Sequence, residues 1–142
     1  MLLKATNMSF GFDTVTVIIC TRNRATLLKR TLESLECQNV RGSELTVAVV
    51  NNASEDDTEN VLSRNWKFAL LRLYESVPGK ALALNRALAA LDGSEVVAFT
   101  DDDVVVSENW LSSLLLAARS YPSAPLFCGP IVPEFPVKRT NG

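Results

Sequence analysis

The chain has 142 residues, 47% of them hydrophobic, with 14 basic and 16 acidic side chains and a formal net charge of -2. That length and apolar content suit one globular domain with its own core, and the balanced charge, with no lysine or arginine block, argues against a nucleic-acid partner. Histidine is absent, which removes Ser-His-Asp and Cys-His catalysis and imidazole metal sites; any metal must be held by oxygen.

Met1 to Asp13 has no clear period and reads as part of an N-terminal arm, residues 1–14, ahead of a domain over 15–133 and a tail at 134–142. The opening MLLKATNMSFGF has no basic segment followed by a long apolar one. No run approaches the roughly 20 apolar residues of a membrane span. Cys20, Cys37 and Cys128 are odd in number and widely spaced, which fits neither a disulfide framework nor a zinc pattern. They are expected to be core or subsurface thiols of a cytoplasmic protein.

Val15 to Cys20, VTVIIC, is a short continuous β-branched run of the kind found in a central strand covered on both faces. The polar loop Thr21, Arg22, Asn23 and Arg24 follows, and then Leu28, Leu32 and Leu35 recur at helical spacing through about Cys37. Leu45 to Val50 repeats the strand pattern and stops at Asn51 and Asn52. Ser54 with Asp57 three residues on reads as a capping box opening a helix through Ser63.

Phe68 to Tyr74 predicts a third strand, broken by Val77, Pro78 and Gly79. Lys80 to Leu91 predicts a helix with Leu84, Leu88 and Leu91 on one face and alanines that permit close approach to a sheet. Glu95 to Thr100 is a fourth strand, and it ends in Asp101, Asp102 and Asp103. Ser107 is the expected N-cap of a helix from Glu108 to Ser120, stopped by Pro122. Leu126 to Cys128 and Ile131 to Val132 are weak strand signals. Alternating strands and helices predict an α/β protein, a mostly parallel sheet with helices on both faces.

Three polar clusters, Thr21 to Arg24, Asn51 to Asp57 and Asp101 to Asp103, each follow a predicted strand. In a doubly wound sheet such loops converge on one crevice, with a nucleotide as the natural ligand. The aspartates suit a hard divalent cation completed by a diphosphate. In an extended segment Asp101 and Asp103 share a side while Asp102 faces away, an arrangement a turn would change; Asp102 otherwise lies against the next helix N-terminus. Asn51 either presents its amide to a base or serves a turn. Arg22, Arg24 and Lys80 either meet phosphate or stay solvated, with Lys80 beside Gly79 at a helix start where anions bind. Asn85, on that helix, either touches a ligand or caps a loop.

VTVIICTRNR, VVNNASEDDT, GKALALNRAL and VVAFTDDDVVV, in this order, resemble the nucleotide-sugar-binding half of the family 2 glycosyltransferases. The resemblance covers Val15 to about Pro133. It implies a Rossmann-like GT-A fold, truncated before the acceptor half, and transfer of a sugar from a nucleoside diphosphate to a glycan or other hydroxyl acceptor with inversion.

Thr21 to Arg24 would lie along the nucleoside, with Ser54, Asn51, Asp101 and Asp102 contributing to the nucleotide site. Lys80 and Asn85 would approach the base or the diphosphate. Asp103, with Asp101, would bind Mg²⁺ or Mn²⁺. At Asn51 the family usually has an aspartate that bonds uracil; a UDP-sugar is still favoured, with the base left open. The resemblance places the general base after the segment matching Gly129, beyond residue 142, and Glu134 lies too near Gly129 to be assigned that role. It leaves membrane association open for the full-length protein. A nucleotidyltransferase would need a glycine-rich phosphate loop that TRNRATLLKR lacks. A non-catalytic nucleotide-binding or assembly module is the other alternative.

Overall fold

The computed structural model describes residues 11–91, 93 and 95–135. The chain runs β1 (Thr14–Thr21), α1 (Ala25–Leu35), β2 (Glu44–Asn51), α2 (Thr58–Leu62), β3 (Ala69–Tyr74), α3 (Lys80–Ala90), β4 (Val96–Phe99) and α4 (Trp110–Ser120). The strands form one sheet in the order β3-β2-β1-β4, and every pairing is parallel. The chain therefore steps outward from β1 through β2 to β3, then returns to the other side of β1. Loops leaving β1 and β4 diverge there, and the divergence opens a crevice at the carboxyl ends of the strands.

Alternation along the strands divides the core between two faces. Val15, Val17, Ile19, Val47 and Val49 pack beneath Leu28, Leu32 and Leu35 of α1, Val61 and Leu62 of α2, and Leu111 and Leu115 of α4. Ile18, Ala48 and Val50 face the other way, against Ala83 and Ala87 of α3. Helices thus cover both faces, as the alternating pattern predicts. On α3 the buried stripe is alanine: Ala83 and Ala87 are fully buried, while Leu88 is 47% exposed. The small side chains let the helix backbone approach the sheet and leave Leu88 turned away, against the expectation from leucine spacing.

Other expectations shift at element ends. The second helix begins at Thr58, after Asp57, and the Ser54–Asp57 capping box is not made. Ser54 Oγ instead accepts the backbone N–H of Asn23 at 3.0 Å. Asp56 does the capping: one carboxylate oxygen accepts Ala25 N–H at 2.8 Å, and the other accepts the N–H and hydroxyl of Thr58. α4 begins at Trp110, with Asn109 rather than Ser107 at its N-cap. Among the described residues no strand follows β4. Leu126, Ile131 and Val132 are 72–85% exposed, and Pro130 between them removes a ladder donor. Of the cysteines only Cys20 is partly buried; Cys37 and Cys128 are exposed, because both lie past the buried stripes of α1 and α4.

Asp56 links the amino ends of α1 and α2, and this carries a pH signature. Burial, the largest single influence, acts to raise its pKa, but the hydrogen bonds from Thr58 and Ala25 together outweigh it and hold the carboxyl below its ordinary 3.8. A depressed folded pKa contributes stability above the unfolded value and loses it as pH falls through the folded one. Urea unfolding should therefore show Asp56→Ala less stable than the parent by about 1 kcal/mol near neutrality. The gap should narrow below the ordinary carboxylate range; a gap of constant size would mean the caps do not depend on the charge.

Candidate functional site

Four loops meet above the carboxyl end of β1, around a crevice of about 530 Å³ lined by Cys20, Thr21, Arg22, Arg24, Asn52, Gly79, Lys80, Asp101, Asp102 and Asp103. Register brings them together, since Thr21 pairs with Asn51 at the ends of β1 and β2, and Ile18 pairs with Phe99 just before the aspartates. A second hollow of about 510 Å³ lies at the opposite end of β2 and β3. Its Glu36 is engaged by the backbone N–H of Lys67, and none of the three polar clusters reaches it.

Side chains tie the four loops into a ring. Asn23 joins the β1 and β2 loops, donating its N–H to Ser54 Oγ and accepting Glu55 N–H at 2.7 Å. Its φ of 54° is a left-handed conformation that asparagine tolerates better than most residues. Asn52 joins the β2 loop to the β3–α3 loop: its amide donates to Glu75 O at 3.1 Å and Val77 O at 2.7 Å and accepts Gly79 N–H at 2.8 Å. Lys80 joins α3 to the β4 loop through Asp101 at 2.5 Å. Arg24 closes the ring, with one guanidinium nitrogen 3.2 Å from Asp102 and 3.0 Å from Asp103.

The electrostatics follow from these pairs. The negative charge of Asp102, then its hydrogen bond and the charge of Asp103, hold the Arg24 guanidinium even more firmly protonated than usual. The hydrogen bond to Asp101 does the same for Lys80. Burial pushes the Cys20 thiol up to about 11; Lys80 opposes this, and Asp101 and Asp102 add to it. Cys20 at the crevice floor is thus a neutral thiol near pH 7, not a nucleophile. Thr21 is 3% exposed, and its Oγ1 is buried without a hydrogen-bond partner.

The crevice gathers Thr21, Arg22, Arg24, Lys80, Asp101, Asp102 and Asp103 from the residues named by sequence and leaves Asn23, Asn51, Ser54 and Asn85 outside its lining. Asn51 is 1% exposed, and its amide donates to Glu59 at 2.5 Å and accepts Ser54 N–H at 2.9 Å. It holds the β2 loop. Asn52, the next residue, lines the crevice instead. The signal for it was its position one step past the strand end, where alternation ceases and the chain turns over the rim.

The aspartates do not behave as an extended segment. A turn places Asp102 and Asp103 on the same guanidinium. Asp102 is 5% exposed and packs against Arg24, not against α4, whose first residue lies eight positions on. Glu134 pairs with Arg30 on α1 at 3.1 Å, away from the crevice.

A divalent cation fits this donor set. Asp101 and Asp103 offer hard carboxylate oxygens on half-exposed side chains, and the two cations seated on them at 2.5 and 3.0 Å stand in for such a charge. Among the described residues no three His, Cys, Asp or Glu side chains converge as a ready-made cation cage. Among the described residues no helix is long and apolar enough to cross a membrane.

Comparison with known proteins places the chain in a family. The sequence model described as Glycosyl transferase family 2 matches residues 16–138. The chain is similar to the uncharacterized protein y4gI of Sinorhizobium fredii, 31% identical over 114 residues that make up 77% of this chain and 12% of that protein. Its structure is similar to mannosyltransferase PcManGT from Pyrobaculum calidifontis, solved with GDP-Man and Mn²⁺: TM-score 0.63, 33% identity, 78% of this chain and 32% of that one. It is also similar to residues 1-349 of S. aureus TarS solved with UDP-GlcNAc: TM-score 0.67, 28% identity, 77% of this chain and 32% of that one. The chain thus spans 32% of the mannosyltransferase, 20% of TarS and 12% of y4gI.

Proposed function

The chain belongs to glycosyl transferase family 2 and has the GT-A fold of its structural neighbours; from that premise we propose that its crevice binds a nucleoside-diphosphate sugar with a divalent cation. The bound sugar is transferred, with inversion, to an acceptor hydroxyl. The observation that carries this reading is the ring of four loops, which sets three carboxylates, two paired cations and Arg22 around one opening at the switch point of the sheet. In this reading residues 15–133 are the donor-binding unit.

Asp103, with Asp101, would hold Mg²⁺ or Mn²⁺, which when bound supplies Lewis-acid stabilisation of the departing diphosphate. Arg22, Arg24 and Lys80 bind and orient phosphate oxygens as charge-assisted donors, and the N-terminus of α3 at Gly79 and Lys80 adds its dipole to the same region. The Thr21 hydroxyl, buried without a partner at the crevice wall, would be met by the nucleoside only after its side chain turns outward. Among the described residues the crevice has no carboxylate besides Asp101 to Asp103. These serve the donor side, so the base that deprotonates the acceptor is assigned to none of them.

PcManGT was solved with GDP-Man and TarS with UDP-GlcNAc, so both nucleotides belong in the test. Calorimetric titration of UDP and of GDP, with Mn²⁺ and with EDTA, should give binding for at least one and only with the metal; silence from both under all conditions would sink the reading. A second reading, a non-catalytic assembly module, draws on the exposed apolar run of Leu126, Ile131, Val132 and Phe135, each 72–85% exposed. It would be favoured by self-association in light scattering together with failure to bind nucleotide.

A further inference from the structure

The chain neutralises its own acid cluster. Each of Asp101, Asp102 and Asp103 carries a cation of the protein, Lys80 on the first and Arg24 shared between the other two. These cations are not fixed structural partners: their side chains are 50% and 65% exposed, and Asp101 and Asp103 are 57% and 46% exposed. Both stems are long and flexible, so each head group can swing across the crevice without disturbing the sheet. The uncharged ties, Asn23 to Ser54 and Glu55 and Asn52 to Gly79, Glu75 and Val77, keep three of the loops joined when the charged ties open.

A divalent cation on Asp101 and Asp103 shares those carboxylates with Lys80, on one oxygen of Asp101, and with Arg24, on one oxygen of Asp103, and its charge repels both. We propose that Arg24 and Lys80 are exchangeable counter-cations of the aspartates: a divalent cation displaces them from the carboxylates, and the released guanidinium and ammonium turn onto the oxygens of a diphosphate. The second half of this exchange rests on the donor-site reading above; the first half does not. The consequence is a coupling between two ligands. Metal alone must part Lys80 from Asp101 and Arg24 from Asp103, leaving Lys80 without its partner and Arg24 with Asp102 alone, and diphosphate alone must draw both cations from the aspartates. Together each ligand takes the charge that the other releases, and the coupling is reciprocal.

Titration of Mn²⁺ alone, followed by the electron paramagnetic resonance of the free ion at fixed ionic strength, tests the first half. Arg24→Gln and Lys80→Gln should each bind Mn²⁺ about fivefold more tightly than the parent, the scale of a partly exposed ion pair. Arg24→Lys, which keeps the charge, should bring the affinity back toward the parent value. Arg86→Gln makes the same change of net charge on an exposed face of α3 outside the crevice and should leave affinity unchanged. Unchanged or weaker Mn²⁺ binding in Arg24→Gln and Lys80→Gln, or equal tightening in Arg86→Gln, would overturn the exchange. With saturating Mn²⁺, the same two variants should bind UDP or GDP more weakly than the parent; if they bind it equally well, the transfer to diphosphate is wrong. If the parent binds neither nucleotide, the donor-site reading fails, and the Mn²⁺ series still decides the competition.

Discussion

Asp103→Ala is expected to lower metal-dependent nucleotide affinity by roughly a hundredfold while leaving the fold intact. The side chain is 46% exposed and its partner Arg24 is 50% exposed, so the ion pair lost is worth at most about 1 kcal/mol and the melting temperature should barely move. Binding is different, because a carboxylate on a divalent cation is a direct ligand, and a contact of about 3 kcal/mol corresponds to about two decades in affinity. Asp102→Ala should give the reverse pattern. That side chain is 7% exposed and bonded to Arg24, so its loss disturbs the closure of the ring and thermal stability before it removes a metal ligand. Calorimetry with Mn²⁺ and with EDTA, beside thermal melts of both variants, separates the two roles. Equal losses of affinity from Asp103→Ala and from Asp57→Ala, an exposed residue off the crevice, would remove Asp103 from the metal site.

What the sequence made legible was the part of the structure governed by local pattern. VTVIIC and LTVAVV are apolar but for one threonine each because β1 and β2 are covered on both faces, and Leu28, Leu32 and Leu35 mark the buried stripe of α1 at helical spacing. Polar clusters just past strand ends were also readable, since a parallel sheet sends all such loops to one rim. The misreadings share a different cause: each turns on contacts distant in sequence. Ser54 looks like an N-cap until Asn23, 31 positions earlier, is seen to donate to it. Asp56, which no local pattern singles out, caps a helix that begins at Ala25, also 31 positions earlier. Leucine spacing on α3 suggested a leucine face, but the close approach of the helix to Ile18, Ala48 and Val50 selects alanine. Asn51 and Asn52 are the same residue type side by side, and only the third dimension says which one turns inward to hold its own loop and which one reaches the crevice.

Asn52→Asp, a change of one atom and one charge, is expected to destabilise the protein more than Asn52→Ala does. The native amide is 5% exposed and its nitrogen donates to two carbonyls, Glu75 O at 3.1 Å and Val77 O at 2.7 Å. Alanine forfeits these bonds and the one accepted from Gly79 N–H at 2.8 Å, and a loss of about 2 kcal/mol is the usual scale once buried partners are left unmet. Aspartate keeps the Gly79 bond but sets an anionic oxygen against the two carbonyl oxygens, an unpaired buried charge whose cost is about 3 kcal/mol or more. The acid form can donate once, so the folded protein holds that proton more tightly than the unfolded chain does. The new carboxyl therefore has a raised folded pKa, and its penalty is present above that value and relieved as pH falls. Urea unfolding should then show Asn52→Asp recovering toward, or past, Asn52→Ala on acidification. The effect should extend to the crevice, because the loop released from Asn52 carries Gly79 and Lys80. Hydrogen exchange at residues 75–80 should quicken in both variants and most in Asn52→Asp near neutral pH. Unchanged exchange there would mean that Lys80 is placed by α3 alone and that the Asn52 tie is incidental to the site.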